Sequence, residues 1–302
     1  MDFTFKTYER LINSLLARGF SFCTLNSYVS AAPAAAEKNI ILRHDVEEKY
    51  EHALRFANIQ HTKGIQGSYY FRILPKPRNE AIISEIASLG HEVGYHYDDL
   101  SECEGDYPRA LERFHKNLEY LRRFGSVTTL TMEGAPRSRF DNRMLWLGRI
   151  EKELKVGEYG ASNRKVEGQL PRNQRLPDFY RQLPANHSKL PHYDYHDFGI
   201  TTEPYFDLDF NQFFYLTDTG RCWDGWNVSV RDKVSQQTEW VKQGLVFHST
   251  VQIIRAANEG RLPDKIMMTF HPQRWTDNHA MWLRELVLQR LKNVVKRGLV
   301  RL

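Results

Sequence analysis

The chain has 302 residues, 41% hydrophobic and 13% aromatic, with 42 basic and 37 acidic side chains and a formal charge of +5. That length suits a single α/β barrel domain over residues 1–302, and so slight a basic excess, without a dense basic stripe, argues against a nucleic-acid partner. Three distant cysteines (Cys23, Cys103, Cys222) make no disulfide framework or thiolate site, and no apolar run approaches the roughly 20 residues of a membrane span.

In chain order, a helix is predicted over Tyr8–Arg18, with Leu11, Ile12, Leu15 and Leu16 on one face and Gly19 as its stop. The charged, amphipathic start carries no signal-peptide core, so a cytoplasmic protein is expected. Strands are predicted at Ile40–Arg43, Ser68–Phe71, Glu92–Tyr95, Val127–Met132, Val156–Tyr159, Gly199–Thr202, Phe213–Leu216 and Ile266–Phe270. Between them lie helices punctuated by Asn79 and Gly90, by Asp106, Pro108 and Gly125, and by Ser249–Thr250 and Gly260. The last helix, with Trp282, Leu283, Leu286, Val287, Leu291 and Val294 at helical spacing, reads as a barrel-covering helix with a solvated basic face.

Strands alternating with helices imply parallel pairing, and seven or eight such units imply a distorted (β/α)7-8 barrel rather than an open sheet. The polar, proline-containing stretch 161–196 breaks the rhythm and is expected to be an insertion over the C-terminal mouth.

Residues at the C-terminal ends of parallel barrel strands converge on one face. Those positions hold His44–Asp45, His96 followed by Asp98 and Asp99, Glu133, Asp218 with Arg221 and Trp223, and His271 with Arg274. Imidazoles and carboxylates are ligands for zinc and other divalent first-row metals. Each is weak evidence alone; their recurrence at one end of successive strands carries the expectation of a site. Tyrosine and tryptophan in number suit a sugar-binding cleft, although aromatics also fill a large core.

At these residues the sequence resembles the polysaccharide deacetylase superfamily, which includes chitin and peptidoglycan N-deacetylases. Ile41-Leu42-Arg43-His44-Asp45 is similar to the strand that ends in a catalytic base and a metal-binding aspartate. Gly90-His91-Glu92-Val93-Gly94-Tyr95-His96 closely resembles the second motif, whose first metal histidine falls on His96. Gly134-Ala135-Pro136-Arg137 loosely matches the third motif, Asp218 with Trp223 the fourth, and His271 the fifth. Two positions depart from the pattern. His44 stands where the base is an aspartate, and Leu100 stands where the second metal histidine belongs.

The resemblance implies a metal-dependent hydrolase that removes an acetyl or other N-acyl group from an amino sugar, in surface polysaccharide or lipopolysaccharide synthesis. It implies a divalent ion, zinc before manganese, iron, cobalt or nickel, on Asp45 and His96; with the second histidine missing, Glu133, or else Asp98 or Asp99, is expected to complete the site. His44 is expected to take the water proton and His271 to protonate the leaving amine, with Asp218 or Arg137 tuning the histidines. Arg43, Arg137, Arg221 and Arg274 suggest an anionic carbohydrate substrate, nucleotide- or lipid-linked, or else one or two of them pair with Asp218 and Glu133. The alternatives are hydrolysis of a cyclic amide or formamide, or a catalytically degraded carbohydrate-binding barrel.

Overall fold

The computed structural model describes residues 1–30, 38–76, 78–149, 190–223, 229 and 231–300, with backbone alone for 295–300. The predicted strand Val156–Tyr159 and residues 161–189 of the expected insertion lie outside these. The strands are β1 (Ser21–Cys23), β2 (Asn39–Val46), β3 (Ser68–Phe71), β4 (Glu92–Tyr97), β5 (Leu130–Met132), β6 (Phe214–Thr217) and β7 (Lys265–Phe270). All pair in parallel, in the order β5-β4-β3-β2-β7-β6. One edge of β2 is shared, its first residues pairing with β1 and its last four with β3.

The sheet curls into a half-barrel flanked by helices, not the closed cylinder expected. Among the described residues β5 and β6 are not joined, and Gly199–Thr202 supplies only an isolated bridge from Thr202 to Thr129. Strand β2 is buried almost throughout, as a parallel strand covered on both faces must be.

Helix α1 (Phe5–Ala17) is capped by Thr4, whose hydroxyl accepts from the Thr7 N–H, and ends before Gly19 at φ 78°. It buries Tyr8, Leu11, Ile12 and Leu15 and packs beside the helix Thr250–Asn258. Helix α2 (Leu25–Ser30) is short. Helices α3 (Tyr50–His61), α4 (Glu80–Ser88), α5 (Asp99–Glu102) and α6 (Tyr107–Arg122) follow β2, β3 and β4. Asp106 caps α6 through the Arg109 N–H, with Pro108 in its first turn. Ser249 caps the Thr250–Asn258 helix through the Gln252 N–H. The terminal helix, His279–Val300, departs from expectation: Leu283, Val287, Leu291 and Val294 face outward and do not cover the sheet. Of the described residues, no helix is long and apolar enough to cross a membrane.

Candidate active site

Side chains alternate along a strand, so residues two apart share a face. On β2 this sends Arg43 and Asp45 to the inside of the curl and His44 to the helix-covered outside. The strand C-termini then converge on a small pocket, about 60 Å³ in volume. It is lined by Arg43 and Asp45 from β2, Glu47 just after it, His96 from β4, Glu133 after β5 and His271 and Arg274 after β7.

Asp45 lies near the centre. Its Oδ2 is 3.9 Å from His96 Nε2 and 4.0 Å from His271 Nε2. Both of its oxygens accept from Arg43, at 2.9 Å from Nε and 2.7 Å from Nη2, in a pair only 2% exposed. Arg43 Nη1 is buried with no hydrogen-bond partner among the described residues. His96 Nδ1 lies 3.1 Å from the Thr131 carbonyl, to which it donates, and 2.9 Å from the Thr131 hydroxyl. When neutral in that tautomer, it offers an Nε2 lone pair to the pocket; when charged, Nε2–H donates to Glu133 Oε2 at 3.2 Å. Burial disfavours the charged imidazole, but Asp45 and Glu133 outweigh it and raise the pKa above the ordinary histidine value. Glu133 is correspondingly held well below the carboxylate range, as His96, Arg72 and the Ala135 N–H overcome its burial.

His271 is positioned by Asp218. Its Nδ1 is 2.5 Å from Asp218 Oδ1, and its backbone N–H donates to both Asp218 oxygens at 3.1 Å. Asp218 also accepts from Trp275 Nε1 at 2.6 Å and Arg274 Nη1 at 3.1 Å. Burial would raise the carboxyl's pKa, yet these donors, His271 foremost, hold it below its usual value. A carboxylate accepting from Nδ1–H leaves Nε2 as the exchangeable nitrogen facing the pocket.

The expected base, His44, is elsewhere. It is fully buried, stacked on Tyr69 with ring centroids 4.2 Å apart. Its Nδ1 donates to the Ser68 carbonyl at 3.1 Å, and Gln60 Nε2 donates to its Nε2 at 2.8 Å. Burial pushes its pKa down to about 3. Both nitrogens are satisfied in the neutral ring, on the wrong face of β2 to reach a water beside Asp45. Arg137 is exposed and does not line the pocket. Arg221 is tied to the Trp282 carbonyl and stacked over that indole. Asp98 and Asp99 also leave the ligand contest. Asp98 accepts from Arg72 at 2.5 Å and Arg113 at 2.6 Å, whereas Asp99 accepts from Arg113 and Tyr95. Burial raises Asp99 to about 7. Trp223 is a core residue whose indole donates to Thr250.

Sequence reasoning missed Arg231 and Asp232, which line the pocket from the irregular segment after β6. Asp232 accepts from Tyr205, Tyr215, Thr217 and Thr219, three of these at 2.5, 3.2 and 2.6 Å. Its burial opposes ionisation, but Arg43 and the hydroxyls hold it at about 2. No strand-end position or motif marks it; the nearest signal is the pair of hydroxyls, Thr217 and Thr219, that flank Asp218. Among the described residues, four carboxylates, three guanidiniums and two imidazoles line the pocket.

The metal implied by the resemblance fits the donor chemistry, with two oriented imidazoles and two carboxylates facing one space. The arrangement is not a closed ligand set. Among the described residues no group of three or more His, Cys, Asp or Glu side chains stands ready to hold an ion, and Arg43 occupies both Asp45 oxygens. Compared with known proteins, the chain matches no family model, no curated protein and no solved structure.

Proposed function

We propose that this protein is a hydrolase that removes an N-acyl group from an amino sugar, with a divalent ion held at Asp45 and His96 and assisted by Glu133. The observation that carries the reading is the facing of His271 Nε2, backed by Asp218, and His96 Nε2 toward one Asp45 oxygen. A bound ion would lower the pKa of a water and polarise the acyl carbonyl. With His44 turned away, His271 serves twice. Nε2 takes the proton of the attacking water and returns it to the departing nitrogen, while Asp218 stabilises the imidazolium between the two transfers.

A second reading is favoured by the Arg43 clasp on Asp45: hydrolysis of another amide, a cyclic amide or formamide, with no metal. The test is acyl release from N-acetylhexosamines, free and nucleotide-linked, with and without chelator. Chelator-sensitive acetate release supports the first reading, and chelator-resistant hydrolysis of other amides selects the second. No release from either class by folded protein would leave a binding barrel and overturn both.

A further inference from the structure

The terminal helix, His279–Val300, is laid on the protein the wrong way round for a surface helix. Its inward side carries Gln289, buried, and Asn293, which donates to the Gly220 carbonyl at 2.7 Å. Trp282 on the same side donates to the Asp2 carbonyl at 2.7 Å. Leu286 is half-buried on this inner side, but the outward side carries four exposed aliphatic residues: Leu283 is 56% exposed, Val287 50%, Leu291 62% and Val294 67%. At 100° per residue these four fall within an arc of about 80°. Two exposed arginines flank that arc, Arg290 about 20° beyond one edge and Arg284 about 20° beyond the other.

Charge decides what the stripe suits. From His279 to the last residue there are six basic side chains, Arg284, Arg290, Lys292, Lys296, Arg297 and Arg301, against the single acid Glu285. The resulting +5 equals the formal charge of the whole chain, so residues 1–278 are balanced and the basic excess is confined to this segment. A second copy seated on the stripe would bring arginine against arginine at both margins. An in-plane apolar stripe edged by cations is complementary to an anionic lipid surface, with the aliphatics entering the acyl boundary and the guanidiniums at the phosphates.

We propose that the outer face of the His279–Val300 helix binds the surface of an anionic lipid bilayer, lying in its plane without crossing it. The test is co-sedimentation of the full chain with phosphatidylcholine vesicles, with and without one-third phosphatidylglycerol. Retention on the anionic vesicles is expected to exceed that on neutral ones by about tenfold and to fall with added salt. The exposed double variants Val287→Glu/Leu291→Glu and Arg284→Glu/Arg290→Glu should each lose that excess while keeping the wild-type circular dichroism spectrum. Equal retention on both vesicle types, or a Val287→Glu/Leu291→Glu variant that still binds, overturns the proposal. So does sedimentation equilibrium showing a dimer that Leu291→Glu splits, because that result assigns the stripe to a second copy.

Discussion

Asp218 is the residue on which the proposed chemistry leans most, because it fixes the His271 tautomer and balances the imidazolium. Asp218→Asn keeps the shape but offers one acceptor where two oxygens now serve His271, Arg274 and Trp275. We expect kcat to fall by about 10²-fold or more, with KM little changed, in steady-state acyl-release assays. An unchanged kcat would remove His271 from proton transfer. His44 makes the opposite prediction. Its imidazole joins the buried Gln60, Tyr8 and Tyr69 network, so His44→Gln should cost about 1–3 kcal/mol of stability while leaving kcat within about tenfold of wild type. A general base would lose about 10²–10⁴-fold. Glu203 carries the clearest pH signature. Burial, reinforced by Asp207 and opposed by Arg43 and Arg143, pushes its carboxyl up to about 8. The folded state therefore keeps a proton that the unfolded chain releases above its ordinary carboxylate value. This contribution to stability is fully present below about pH 4.5 and is lost progressively as pH rises through about 8, at about 1.4 kcal/mol per pH unit in between. Denaturant titrations from pH 6 to 8 should show that slope shrink in Glu203→Gln; identical slopes would place the proton elsewhere.

Among elements, the strands around the site were readable because buried parallel strands are short apolar runs bounded by turn residues. β2, β3, β4, β6 and β7 stand within a few residues of their predicted bounds. β1 was missed, since Ser21-Phe22-Cys23 is too short to show a period and pairs with β2 only through its position in the fold. Alternation was the more consequential omission. Strand-end chemistry pointed to His44 and Asp45 together, yet adjacent residues on an extended strand face opposite ways, so only one could enter the pocket. The motif glycine Gly94 shows a constraint with no polar signature. It pairs with Tyr70 on β3, and a Cβ at Gly94 would lie 2.3 Å from the Tyr70 ring. Tyr70 is fully buried and held by Thr129 at 2.9 Å, so its ring has nowhere to go. Gly94→Ala should cost about 1–3 kcal/mol, read as a drop of several degrees in Tm at full occupancy of the folded state. A melting curve that does not move would mean that β3 and β4 are looser than their register implies.

At the scale of the molecule, the convergence of strand ends was legible because parallel strands place all their C-termini at one rim; which of those residues are already paired was not. Asp98, Asp99, Arg137 and Arg221 sit at suitable chain positions but are spent on buried ion pairs, exposed, or drawn to the terminal helix. Arg43, expected to meet an anionic substrate, instead clasps Asp45 and controls the metal question. In a pair this buried, removing the guanidinium leaves Asp45 uncompensated, a loss of about 3–5 kcal/mol. A divalent ion at Asp45 and His96 would offset that loss directly, whereas in the native chain it must compete with a charge already in place. Binding to the folded state alone stabilises by about 2.7 kcal/mol at an ion concentration one hundred times Kd. The Arg43→Met variant is therefore expected to melt well below wild type in chelator. On titration with zinc or manganese it should recover by a larger increment than wild type gains, with one ion per chain by elemental analysis. The increment should vanish in Arg43→Met/His96→Ala. If instead the Arg43→Met melting point ignores every divalent ion, Asp45 and His96 hold no metal, and chelator-resistant chemistry becomes the surviving account of the pocket.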